Sequence, residues 1–110
     1  MRNYTPDVWI IVEIHSPKHG TQYRVLAGWY GGYLYGDSWR LNSGIVEVKE
    51  FDNRYEFIGD SGSVYLCYKS AQRTSGMTQS VLNTYSAQLE SLKDGSYIKE
   101  VEVKDIPLKI

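Results

Sequence analysis

The residues best suited to chemistry lie at positions 27–44, AGWYGGYLYGDSWRLNSG. Five are rings with a polar tip: Trp29, Tyr30, Tyr33, Tyr35 and Trp39. Five are glycines: Gly28, Gly31, Gly32, Gly36 and Gly44. Asp37 and Arg40 are the only charges. Glycine lets a backbone approach a ligand closely. Each ring offers a stacking face worth roughly 1–3 kcal/mol against a nucleobase. Arg40 can bind a phosphate through two parallel hydrogen bonds. Asp37, Ser38, Asn42 and Ser43 can read base edges or ribose hydroxyls. These are the parts of a nucleotide pocket carried on a loop between strands. The same letters also suit aromatic pairs across a turn, or a hot-spot patch for a protein partner.

A second candidate is Arg73-Thr74-Ser75, just before a helical pattern. A helix N-terminus presents unpaired amides and a partial positive charge that favour an anion. Arg73 adds charge, and Thr74 and Ser75 add hydroxyls. Ser75 or Thr78 equally suits a helix cap.

Catalytic constellations are hard to assemble. Residues 59–62, GDSG, match the tetrapeptide around a serine-protease nucleophile. That chemistry needs a histidine base, and both histidines, His15 and His19, lie near the N-terminus. Tight turns use Gly, Asp and Ser for conformational reasons alone. Residues 36–38, GDS, lack the strand–turn–helix setting of an esterase. Pro17 and Gly20 prevent a helix that would align His15 with His19, and no further His or Cys completes a zinc site. Cys67 reads as a small buried hydrophobe. Glu100, Glu102 and Asp105 read as a solvated face. The expectation is a protein without catalytic residues, metal or cofactor.

Composition narrows the class further. The 110 residues hold 12 Lys+Arg against 13 Asp+Glu, for a net charge of −1. General nucleic-acid binding needs a strong basic excess and is not expected. One cysteine cannot form an internal disulfide, which points to a reducing compartment. The apolar run at residues 8–14 is too short for a membrane span. We expect one domain over residues 1–110, cytoplasmic, with no membrane partner.

These residues must be positioned by a small set of elements. Residues 8–14, VWIIVEI, read as a strand apolar on both faces and therefore central in a sheet. Residues 16–20 read as a turn, and 22–30 as the next strand. Residues 31–44 read as irregular. Residues 45–51, 54–58 and 63–68 form a meander, with Val46 and Val48 on one face and Glu47 and Lys49 on the other. Between residues 77 and 93 the period changes. Met77, Val81, Leu82, Tyr85, Leu89 and Leu92 fall on one helical stripe, stopped by Asp94-Gly95. Residues 97–103 read as an edge strand. The predicted fold is α+β: about six mostly antiparallel strands with one amphipathic helix, about 77–93, on the sheet.

Read in full, WYGGYLYGDSWRLNSGI at 29–45, and more loosely SGSVY at 61–65, resembles small uncharacterised proteins encoded by bacteriophages. That resemblance implies a setting in which small, non-enzymatic proteins counter host defences. Some of these soak up nucleotide immune signals, and others block a defence protein. The resulting expectation is sequestration of a cyclic oligonucleotide or ADP-ribose derivative, in a pocket shared across a homo-oligomer, a dimer or larger. Alternatives are an inhibitor of a host effector or nuclease, a small nucleotide hydrolase using Asp37 or Asp60 as base, and a virion accessory role.

Overall fold

A computed structural model describes residues 2–31 and 36–107. Strands run β1 (Asn3–Tyr4), β2 (Val8–Ser16), β3 (Gly20–Trp29), β4 (Ser38–Leu41), β5 (Ile45–Glu50), β6 (Arg54–Gly59), β7 (Val64–Tyr68) and β8 (Tyr97–Val101). The helix α1 spans Gly76–Ser91. The first sheet has the order β1-β7-β6-β5 and the second β4-β3-β2-β8. Among the strands of the described residues only β1 and β7 pair in parallel, and an isolated parallel bridge joins Trp9 to Gln72. The fold is α+β, with two mostly antiparallel sheets and one helix packed on them. The pattern of hydropathy predicts about six strands. The two further ones, β1 and β4, are short and lie in segments without a clear period.

β2 explains the layering. Its successive side chains point to opposite faces, and both faces are covered. Trp9 and Ile11 join Val25 and Ala27 of β3 against Ile45, Val48, Phe57, Tyr65 and Cys67 of the first sheet. Ile10 and Val12 join Leu26 and Ile98 on the other side, under Val81, Leu82 and Leu89 of α1. A strand buried twice must be apolar throughout, which is what VWIIV supplies. β2 lies between β3 and β8, and β8 is an edge, as expected.

Two departures have local causes. Val46 does not share a face with Val48. A register shift between Ile45 and Glu47 leaves Val46 bulged and 53% exposed, while Ile45 and Val48 face inward. A bulge inserts one residue and breaks simple alternation. The helix stripe is also only partly used. Val81, Leu82 and Leu89 pack on the sheet, whereas Tyr85 and Leu92 stay exposed.

Residues 59–62 form a tight turn, closed by Gly62 N–H to the Gly59 carbonyl at 2.9 Å, with Gly62 at φ 90°. Burial pushes the Tyr65 phenol up to about 12 and raises the Cys67 thiol well above its ordinary range. Cys67 is therefore a packing group, since the thiolate is the reactive form. No helix among the described residues is long and apolar enough to cross a membrane.

The helix start is fixed by Ser75 and Thr78. Thr78 N–H donates to Ser75 Oγ at 3.1 Å, and Ser75 N–H to Thr78 Oγ1 at 2.8 Å. This capping box presses onto Gly28 of β3. A Cβ built there would sit 2.7 Å from Thr78 Cγ2 and 3.0 Å from Val8 Cγ2. Gly28→Ala is therefore expected to cost about 1–3 kcal/mol by overpacking. Urea unfolding should show the loss, while Gly76→Ala, whose new methyl meets open space, should be neutral or stabilising.

Candidate functional site

Strand β4 carries Ser38, Trp39 and Arg40 of the sequence-predicted residues, and its pleat divides them. Trp39 pairs with Gly28 and Arg40 with Ala27. Ala27 faces the first sheet, so Arg40 points to that side. Trp39 points to the helix side, where its ring meets Tyr85 edge-on at 6.2 Å. Both Trp39 and Tyr85 are more than a third exposed. Trp39 and Arg40 thus belong to opposite faces of one strand.

The Arg40 face is centred on Tyr4, which sequence reasoning missed. Tyr4 stacks on Tyr65 at 4.8 Å and meets Trp29 edge-on at 6.1 Å. The Arg40 guanidinium lies over the Tyr4 ring at 4.9 Å. Trp29 is held by its Nε1–H, which donates to the Thr5 carbonyl at 3.1 Å. Arg40 is exposed, and among the described residues no carboxylate lies within 4.0 Å of it. Tyr65 is buried beneath Tyr4, so the surface itself is formed by Tyr4, Trp29 and one guanidinium without a carboxylate partner. Tyr4 carried no signal because a two-residue parallel strand has no period to read.

A separate group of hydroxyls ties the β4–β5 connection to the β6–β7 turn. Ser43 Oγ bonds Ser61 Oγ at 3.1 Å and accepts from Ser61 N–H at 3.2 Å, and Ser61 Oγ reaches Ser63 Oγ at 3.5 Å. Ser63 stands two residues before Tyr65. The segments 29–45 and 61–65, separate in sequence, thus meet through Arg40, Tyr4, Tyr65 and the serines. Asn42 is buried. Its Oδ1 accepts from Val25 N–H at 2.8 Å and extends the β3–β4 ladder, and its Nδ2 has no partner among the described residues.

The remaining predicted residues are placed apart. Tyr30 is 50% exposed and its amide donates to Asp7 Oδ2 at 2.8 Å. Asp37 accepts from Gly31 N–H at 3.4 Å, and Ser38 pairs with Trp29. Tyr33 and Tyr35 lie outside the described residues. Ser75 is buried in the helix cap, Thr74 Oγ1 bonds Gln79 Oε1 at 3.0 Å, and Arg73 Nη1 donates to the Ser70 carbonyl at 3.2 Å. Ser75 meets Gly28 on the helix side, next to Trp39 and away from Arg40.

A further polar cluster was not foreseen. Glu13 of β2 accepts from Tyr23 Oη at 2.9 Å and from Tyr97 Oη, with Lys99 at 3.9 Å. The Tyr97 hydrogen bond holds the Glu13 carboxyl below its ordinary range, against the opposing effect of burial. The same bonds raise both phenols. A carboxylate held low stabilises the fold above its unfolded pKa and loses that stability as pH falls through its folded one. Glu13→Gln is expected to be less stable than the native chain at neutral pH. The gap should close as pH drops through and below the carboxylate range, followed by urea midpoints against pH.

Among the described residues, no group of three His, Cys, Asp or Glu is placed to hold a metal ion. No protein-family model, curated protein or solved structure matches the chain.

Proposed function

We propose that this chain is a non-catalytic protein that sequesters a nucleotide-type ligand, with Arg40 as the phosphate anchor. The observation that carries the reading is the exposed Arg40 guanidinium, free of any carboxylate within the described residues, set over Tyr4 beside Trp29 and Tyr65. Planar donors match phosphate oxygens, and the partly exposed ring of Trp29 beside them can stack a base whatever its identity. The face is an open wall, and small-ligand sites bury most of their ligand. A second copy supplies the opposite wall in this proposal, in a symmetric assembly. In the phage setting implied by the resemblance, the ligand is a cyclic oligonucleotide or ADP-ribose-type immune signal.

The test is to incubate purified protein with such nucleotides, remove free ligand, denature the protein and identify what is released. Unchanged ligand in near-stoichiometric amount is expected. Release of a cleaved product would instead make the chain a hydrolase.

The exposed Trp39–Tyr85 pair favours a second reading, an inhibitor that docks on a host effector, since such rings anchor protein interfaces. Trp39 and Arg40 lie on opposite faces, so their alanine variants separate the two readings.

A further inference from the structure

The hairpin of β2 and β3 leaves part of its helix-side face uncovered. Ile14 packs on the helix side, and its antiparallel partner is Gln22. Arg24, opposite Val12, lies on the same face. Across from them stand Leu89 of α1 and Leu92 just beyond it. Between lies a groove of about 580 Å³. That volume falls within the range of small-molecule sites, roughly 300–1,000 Å³. Leu92 is 59% exposed and presents an apolar wall.

Arg24 is the unusual group. It is half-buried, and among the described residues no carboxylate lies within 4.0 Å of it. Its Nε and Nη2 both donate to Gln22 Oε1, at 3.1 and 2.7 Å. Gln22 therefore fixes the guanidinium plane and leaves Nη1 to be used. A partly desolvated cation without a counter-charge favours an anion more than a solvated one does. Lys18 and His19 on the turn line the same groove. The one carboxylate of the lining, Asp94, is turned onto the Ser96 amide at 2.9 Å. The carbonyl end of α1 contributes a partial negative charge, smaller than the two formal cations Lys18 and Arg24.

We infer that this groove is a second binding site, for a small amphipathic anion. A carboxylate or phosphate head sits on Arg24, and an apolar body lies against Ile14, Leu89 and Leu92. The site is independent of the Arg40 face, which looks toward the first sheet.

His15 and His19 are the only histidines of the chain. His19 on the turn lines the groove, so its imidazole Cε1–H proton resonance reports on it, while His15 lies on the opposite pleat of β2, stacked on Tyr97 at 5.3 Å, and serves as an internal control. The experiment titrates the full chain with octanoate, with inorganic phosphate as a head-only probe and with hexanol as a body-only probe. Saturable shifts with octanoate are expected, and much weaker responses to the other two. Arg24→Met, which keeps the aliphatic stem, should weaken octanoate binding by about tenfold or more. Leu92→Ala, at an exposed position that the fold does not need, should weaken it by about threefold. The inference is overturned if octanoate gives no saturable shift, if inorganic phosphate or hexanol binds as well as octanoate, or if both variants bind like the native chain.

Discussion

Arg40→Ala is expected to weaken nucleotide binding by about ten- to a hundredfold, with little change in unfolding. The magnitude follows from charge-assisted hydrogen bonds, worth roughly 1.5–3 kcal/mol, with 1.4 kcal/mol per factor of ten. The fold has little at stake at this position. Arg40 is exposed, and its contact with the Tyr4 ring is worth about 0.5–1 kcal/mol at such a site. Arg40→Lys should recover only part of the affinity, because an ammonium cannot present two parallel donors to one phosphate. Isothermal titration alongside urea unfolding separates the two effects. Native affinity in a folded Arg40→Ala protein would remove this face from the site.

Trp9→Ala should have the largest effect on stability. Trp9 is fully buried at the centre of the two-sheet core, 5.5 Å from the Phe57 ring and 6.0 Å from Tyr55. Its Nε1–H donates to the Tyr68 carbonyl at 2.7 Å, which ties the second sheet to the end of β7. Truncating a buried tryptophan costs about 3–5 kcal/mol, and an acceptor left without its donor adds about 1–3 kcal/mol. Against a total of about 5–15 kcal/mol for a typical domain, the variant should be marginally folded or unfolded at room temperature. Trp9→Phe should fall between, since it keeps most of the ring area and loses the hydrogen bond. Equilibrium urea unfolding gives both values. A loss under about 1 kcal/mol for Trp9→Ala would mean that the two sheets do not depend on this contact.

The layers were legible where side-chain pattern and burial coincide. Residues 8–12 are apolar without alternation because both faces of β2 are covered, and that run alone places the strand centrally. Ser75 or Thr78 is legible as a helix cap from residue type, and the structure uses both in one capping box. The meander over residues 45–68 follows from its turns. The face around Tyr4 was not legible for a different reason. Its members come from β1, β3, β4 and β7, and contacts between strands distant in sequence leave no local period. Four-residue β4 sits in a glycine-rich stretch that reads as irregular. Without the strand, the alternation that sends Trp39 and Arg40 to opposite faces is invisible. Glu13 is likewise explained by Tyr97, 84 positions away. Val46 misled because a bulge shifts the period by one residue.

Native mass spectrometry of the purified protein, with cyclic dinucleotides, cyclic trinucleotides and ADP-ribose derivatives, tests sequestration most directly. One spectrum reads assembly size and bound mass together. An assembly of two or more copies carrying an unchanged nucleotide, which Arg40→Ala fails to retain, is expected. A spectrum free of adducts across the whole panel would contradict sequestration and shift the function to a protein partner on the Trp39 face.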